Sequence, residues 1–506
     1  MGTSGRWRKI GTSDNGLLML SALALVAVHA ATNGQYGLHR DELASMDDAR
    51  FLSWGYVVYP PFTPLVARVS LELFGASMIG LRLLSSLAQA IAMVLTGLMA
   101  RELGGGRAAQ LTAAWAAALA PVALSSGTMF QYVAFDHLWW VLLAYAVIRL
   151  SKTEDARCWL AIGAVAGAGL MTKYTMAFLL AGLSGGVVLT GARRYLASKW
   201  LWMGTAVALV IILPNLLWQW RHEFISLEFL RFIHARDVRL GRTDSFLLAQ
   251  LWKGTSVVTA PIWIAGLCWL FATAGGRRYR MIGWMYAIPL ALFLVAKGRD
   301  YYLAPAYPML LAAGAAWGER WVRRLSPTQA GWVRGTVWWA MATSGVAIAA
   351  LVFPLAPLGS RWWRVADAVH GNFNEELAWQ EMTDAVVRAR EGLHGEGGRV
   401  GILAGDAGEA GALYVYGHAR GLPEAISGSN SHWLRGYGDP PPETVITVGF
   451  RRVDAEAVFE SCEPAGHFEF PFGLENSAIG DRTEIFVCRR PRQPWEVFWK
   501  KFRWFG

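Results

Sequence analysis

His39, Arg40, Asp41, Glu42, Asp47, Asp48 and Arg50 fall within the single stretch HRDELASMDDAR, directly after an apolar run. A carboxylate placed there could reach a substrate at a lipid–water boundary and take a proton from a hydroxyl, the work of a general base. Asp41 follows the end of the apolar run most closely, and Asp47 and Asp48 offer two further acids nearby. The plain alternative is that these charges solvate an interfacial helix. A second acid, Asp136, stands beside His137 in FDHLWW. An N-cap explains it as well as contact with a substrate does, because Asp favours that position and an apolar run follows at once. At bilayer depth an Asp costs on the order of 2.5–3.5 kcal/mol, so Asp136 is expected at the rim of a membrane domain.

The elements that must position these residues are read from composition. The chain has 506 residues, 54% of them apolar, with 26 Trp. Such a chain is hard to keep in water, which points to a membrane protein. The net charge of +10 comes from short Lys and Arg clusters between long apolar runs. This is a topology signal and argues against a nucleic-acid partner. The four Cys have no metal-ligand spacing, and no structural zinc site is expected. Arg6, Arg8 and Lys9 precede an apolar run without a small-residue cleavage site, which reads as an uncleaved first helix.

A spanning helix needs roughly 20 mostly apolar residues. Such stretches are expected near 15–33, 83–100, 108–126, 133–150, 157–172, 174–192, 200–220, 250–276, 280–297, 301–318 and 335–357. Only Lys173 separates two of them, which could also be one broken helix. With the N-terminus cytoplasmic, alternate connections carry Arg101 and Arg107, Arg149 to Arg157, Arg193 to Lys199, Arg277 to Arg280, and Arg320 to Arg334. These short basic loops satisfy the positive-inside rule. The same count places the first loop, 34–82, the turns at Asp136, Lys173 and Lys297, the loop 221–249 and all residues after 358 on the far side. Two domains are expected: a membrane domain over 1–357 and a soluble extracytoplasmic domain over 358–506. Strand-like runs at 399–404, 444–449 and 484–488 make the latter a small α/β domain. Cys462 and Cys488 there are either a disulfide or two buried thiols. The tail PWEVFWKKFRWFG has the composition of a segment resting on the membrane interface.

The first loop, with DE at 41–42 and then YPPFTPLVARVSLELFGASMIGLRLL, resembles glycosyltransferase family 39, as do RELGGGRAAQLTAAWAAALAP, FDHLWW, LMTKYT and AKGRDYYLAPAYPMLLAAGA in order and spacing. That family contains dolichyl-phosphate-mannose protein mannosyltransferases and their bacterial relatives, including the aminoarabinose transferase that modifies lipid A. The resemblance covers residues 30–325. It implies an all-α polytopic GT-C membrane fold, a bacterial plasma membrane location, and sugar transfer from a polyprenyl-phosphate donor to an extracytoplasmic acceptor, with inversion; no cofactor is required by this reading, and assistance by a divalent metal stays open. It implies Asp41 as the base, with Glu42 holding substrate or Asp41.

In that reaction the leaving group is a lipid phosphate that gains charge, so cations at the outer boundary would stabilise it. Lys297 with Tyr302 resembles the family's KxxxYYLxPxYP, and Lys173 and Arg299 are further candidates for the donor phosphate. Asp136, His137, Arg40 and Tyr59 are candidates for contact with substrate. Ordinary snorkelling of lysines at helix ends is the alternative for Lys173 and Lys297. Arg221 and His222 are weaker candidates. A polyprenyl chain stays in the bilayer at roughly 0.8 kcal/mol per buried CH2, which fits an intramembrane enzyme. No Walker or Rossmann loop is expected, since GGGR at 104–107 lacks a preceding strand. The competing class is a secondary transporter or lipid flippase, but no internal repeat is apparent and the charges fall at helix ends on one side.

Overall fold

The computed structural model describes residues 13–393 and 398–506, so Arg6, Arg8 and Lys9 lie outside the described residues. By contact the chain forms two compact units. The first comprises Met1–Asn33, Arg82–His222 and His234–Phe353; the second comprises Gly34–Leu81, Glu223–Ile233 and Pro354–Gly506.

The first unit is helical. Among the described residues, five helices are long and apolar enough to cross a membrane: Asp14–Thr32, Met78–Glu102, Tyr132–Thr153, Lys199–Arg221 and Pro327–Val352. Two bent pairs raise the number to seven, Arg107–Ala118 with Pro121–Thr128 at 62° and Met176–Leu189 with Gly191–Ala197 at 100°. The sequence reading of about eleven spans therefore rests on four further stretches whose helices are short. Cys158–Leu170 and Ala260–Ala272 have 13 residues each, and Arg280–Val295 and Tyr307–Val322 have 16. At 1.5 Å per residue these rise about 20–24 Å against a hydrocarbon core of about 30 Å. Proline in the first turn sets the late start of two of them, at Ala260 and Tyr307. Lys173 does separate two helices, Cys158–Leu170 and Met176–Leu189.

Close helix approach replaces hydrophobic driving force inside a bilayer, and small residues permit it. A Cβ on Gly163 would lie 1.9 Å from the Gly204 carbonyl oxygen, and one on Gly314 would lie 1.8 Å from that of Ile262. Neither glycine can carry a side chain without moving two helices apart. The basic connections touch one another. Arg107 Nε donates to Asp14 at 2.7 Å, Lys152 Nζ to Glu102 at 2.9 Å, and Arg278 to the carbonyls of Ser151 and Lys152 at 2.6 and 2.8 Å.

The second unit carries a five-stranded sheet in the order β2-β1-β3-β5-β4: β1 Val400–Ala404, β2 Ala425–Ile426, β3 Thr444–Val448, β4 Phe459–His467 and β5 Glu484–Pro491. β2, β1 and β3 are parallel, and β5 and β4 are antiparallel to their neighbours. Cys462 and Cys488 face each other across β4 and β5 and form a disulfide. The aromatic tail is a packing element of this unit. Trp495 and Trp499 are buried against Val445, Phe459 and the disulfide, and Phe505 packs on Phe229 and Phe232. Here too lies the helix Arg40–Asp48. The helix Ala407–Ala412 after β1 receives it closely, because a Cβ on Gly411 would lie 2.3 Å from the Leu43 carbonyl and one on Gly408 would lie 2.3 Å from Arg40 Cγ. The glycines of GDAGEAG at 405–411 thus admit another helix.

Candidate functional site

Two clusters gather the residues singled out by sequence, one in each unit. In the second unit, His39 caps the helix Arg40–Asp48. Its Nδ1 accepts from the Asp41 N–H at 3.1 Å, and Glu42 accepts from the His39 N–H at 2.8 Å. This reciprocal arrangement is a capping box, and it accounts for the full burial of Glu42. With Nδ1 accepting, the proton of the neutral ring sits on Nε2, which lies 3.2 Å from Glu375. Arg40 Nε lies 3.4 Å from the same Glu375 and 3.6 Å from Asp41. Burial works to raise the Glu375 carboxyl, but His39 and Arg40 together bring it down to about 2. Asp41 itself keeps a side chain 44% exposed, in the first turn of its helix. It is therefore open to a substrate while the residues on either side of it are buried or held.

Asp47 and Asp48 are in a different state, with exposures of 4% and 5%. Arg435 donates to both carboxylates. Asp47 also lies 2.7 Å from His432 Nε2 and 3.0 Å from Arg50 Nη1, while Tyr59 donates to Asp48 at 2.7 Å. Burial opposes ionisation of Asp47, yet His432 and Arg435 hold its carboxyl well below the usual range. Asp48 goes the other way, pushed up by burial despite Arg435. Both acids are committed to a buried network. Tyr59 belongs to that network, and its buried phenol is kept protonated by burial and by Asp48.

The first unit holds the second cluster. Lys173 Nζ lies 4.4 Å from the ring centres of Tyr132 and Tyr302 and 5.3 Å from that of Tyr301. Tyrosine faces attract ammonium groups at such distances. Arg299 donates two hydrogen bonds to Asp237, at 2.5 and 2.7 Å. Asp237 is consequently held below the usual carboxylate range although burial acts against it. Tyr302 packs edge-on against Tyr301, their ring centres 4.9 Å apart. Asp136 lies one turn inside the helix Tyr132–Thr153, whose N-cap is Gln131, so it is not a cap. Its Oδ2 accepts from Thr175 at 2.9 Å, and its Oδ1 is buried with no hydrogen-bond partner among the described residues. His137 is buried beside it. Lys297 is exposed in a left-handed turn, φ 48°, and makes no aromatic or ionic contact among the described residues. The tyrosine-lined position belongs to Lys173. His222 stacks on Trp218 at 4.1 Å.

Sequence reasoning passed over Arg435, His432, Glu375, Asp237 and Tyr132. Of these, only Tyr132 stands close in sequence to a residue that had been singled out, Asp136. Arg435, His432 and Glu375 lie in the stretch read as a separate domain. Among the described residues no cluster of three or more His, Cys, Asp or Glu could hold a metal ion.

The chain resembles known proteins in sequence and in fold. Residues 58–218 match the family model described as dolichyl-phosphate-mannose-protein mannosyltransferase. The chain is similar to the lipid A galacturonosyltransferase RgtD of Rhizobium johnstonii, 28% identical over 337 residues, which are 62% of this chain and 66% of that protein. It is also similar to the undecaprenyl phosphate-alpha-4-amino-4-deoxy-L-arabinose arabinosyl transferase 1 of Pseudomonas fluorescens, 29% identical over 276 residues, 50% of this chain and 48% of that one. The match thus spans about two thirds and about half the length of these relatives. The crystal structure of ArnT from Cupriavidus metallidurans bound to undecaprenyl phosphate shares the fold, with a TM-score of 0.59 and 15% identity over 93% of this chain and 97% of that one. The apo structure of the same protein gives 0.57. Residues 58–218 thus match that family model, and 93% of the chain shares the fold of the ArnT structure.

Proposed function

We propose that this protein transfers a sugar from a polyprenyl-phosphate donor to a hydroxyl of an extracytoplasmic lipid, glycan or protein, in a single inverting displacement. Asp41 takes the proton from the acceptor hydroxyl. The freed oxygen attacks the anomeric carbon from the face opposite the phosphate, the glycosidic C–O bond breaks, and the polyprenyl phosphate leaves with the bonding electrons. The leaving phosphate gains negative charge, and preorganised cations and donors stabilise it most where water is excluded. Lys173, Tyr302 and Arg299 are assigned to it, and the buried Asp136 and His137 to the sugar or acceptor nearby.

The observation that carries this reading is the Lys173 ammonium set among three tyrosine rings, with Arg299 held on Asp237 beside the same tyrosines. It occurs in a chain with the fold of a transferase crystallised with undecaprenyl phosphate. The mutually contacting basic connections support a cytoplasmic side for them, with the N-terminus on that side and the second unit outside. The short helices complete an eleven-span topology in this reading. The test is transfer of radiolabelled sugar from polyprenyl-phosphate donors to membrane acceptors by purified wild type and Asp41→Asn. Loss of a general base lowers turnover by about 10²- to 10⁴-fold. Full activity in Asp41→Asn would remove Asp41 from the chemistry, and no transfer from any donor, with movement of a solute instead, would replace the transferase by a transporter.

A further inference from the structure

A cavity of about 180 Å³ lies within the second unit, lined by Asp47, Arg50, Tyr414, Glu424, Arg435 and Tyr437 among others. Sites for drug-sized ligands run to roughly 300–1,000 Å³, so this one is sized for a single small ring.

Its charges select the ligand class. Arg435 is bound to Asp47 and Asp48, and Arg50 to Asp47 at 3.0 Å and Glu424 at 2.5 Å. A third guanidinium on the wall, Arg399, donates to the Pro440 carbonyl. An anion entering the cavity meets the Asp47 and Glu424 carboxylates, and a cation meets three guanidinium groups. Counted with Asp48, which Arg435 also binds, three carboxylates stand against three guanidinium groups, so neither gains a net counter-charge. A neutral ring bearing several hydroxyls meets donors and acceptors side by side, since each guanidinium carries five N–H groups and each carboxylate about four lone-pair directions. Tyr414 and Tyr437 add half-buried aromatic surface for the apolar C–H face of such a ring. Arg50 holds Tyr414 in place at 3.9 Å from its ring centre, and Tyr437 is stacked on Trp495 at 5.4 Å. These walls are built before any ligand arrives.

From this we infer that the cavity binds one neutral sugar ring of the acceptor, next to the residue that receives the transferred sugar. Assignment to the acceptor rests on the transferase reading above. Asp47 on the cavity wall is six residues beyond Asp41 on one helix, which is about 9 Å along the axis. Six residues at about 100° each also turn the two side chains about 120° apart around the axis, so the ring bound here sits on an adjoining side of the helix from the hydroxyl that Asp41 deprotonates.

The full chain in lipid nanodiscs is titrated with glucose, mannose and N-acetylglucosamine, and separately with inorganic phosphate, by saturation-transfer NMR. Saturable binding of at least one sugar and none of phosphate is expected. Tyr414→Ala and Glu424→Gln each weaken that binding about tenfold, while Tyr414→Phe retains it and shows that the unit is folded. The same two variants raise the acceptor KM in a transfer assay. Binding of phosphate without sugar overturns the inference, and so does sugar binding that neither variant weakens. If the wild type transfers sugar and both variants keep the wild-type acceptor KM, the cavity is not an acceptor site and the transferase reading stands. If sugars bind but no donor is turned over, the transferase reading falls and the assignment to an acceptor falls with it.

Discussion

Replacing Arg435 by Met tests whether the helix carrying Asp41 is held by the C-terminal residues. In the wild type one guanidinium neutralises two carboxylates that are 4% and 5% exposed. After the substitution Asp47 retains His432 and Arg50, whereas Asp48 keeps the Tyr59 hydroxyl as its neutral donor. Removing one partner of a buried pair costs about 3–5 kcal/mol, because the other charge stays buried. At about 2–4 °C per kcal/mol for a unit of this size, the melting temperature falls by on the order of 6–20 °C. Tryptophan fluorescence reports the transition, since Trp433, Trp495 and Trp499 pack in the same unit. The deficit depends on pH. The difference between wild type and variant is full at neutral pH and shrinks in acid as the carboxylates take up protons, Asp48 first because burial already pushes it up. Adding Asp48→Asn to Arg435→Met removes the unpaired charge and recovers most of the loss. A melting temperature within about 1 °C of wild type for Arg435→Met alone, at neutral pH, refutes the reasoning.

Three further outcomes are expected. The Cys462–Cys488 bridge closes a sequence separation of 26, worth about 3.5 kcal/mol by the chain-entropy relation, so the double Cys→Ser variant should melt lower and become insensitive to reductant. Buried Glu409, at the close of β1 and β3, is pushed up to about 8 by burial first and Asp406 second, against an ordinary 4.5. Its folded form prefers the proton, so its contribution is complete below about 4.5 and is lost as pH rises through about 8, and Glu409→Gln should flatten that slope in a melting series. Lys173→Ala and Arg299→Ala should each raise the KM for the polyprenyl-phosphate donor about 10- to 150-fold, the range of a charge-assisted hydrogen bond of about 1.5–3 kcal/mol. Lys297→Ala should leave that KM within about threefold, as steady-state kinetics will show.

What could be read along the chain was whatever has a local signature. The apolar runs at 399–404, 444–449 and 484–488 became β1, β3 and β5. β4 escaped because FESCEPAGH mixes charges with Pro464 and Gly466, where the ladder slips register. A lone Lys173 between apolar runs marked a true break between helices. The run 250–276 gave no hint that Gln250–Gly254 winds as a wide π turn apart from Ala260–Ala272, because composition does not report hydrogen-bond pattern. Glu42 was legible as chemistry but sits in a capping box, a motif that the spacing from His39 already carried. The Arg435 network had no local signal, since its members are 387 and 388 residues apart. Lys173 among Tyr132, Tyr301 and Tyr302 is hidden in the same way.

The discontinuity of the second unit also sets a clock. Asp48 leaves the ribosome 387 residues before Arg435. At about 5–20 residues per second this interval is roughly 20–80 s. During it the helix bearing Asp41 exists without the guanidinium that binds Asp47 and Asp48. A nascent chain therefore has no finished setting for Asp41 until residue 435 has been made, and a chain stalled before it holds Asp48 by the Tyr59 hydroxyl alone.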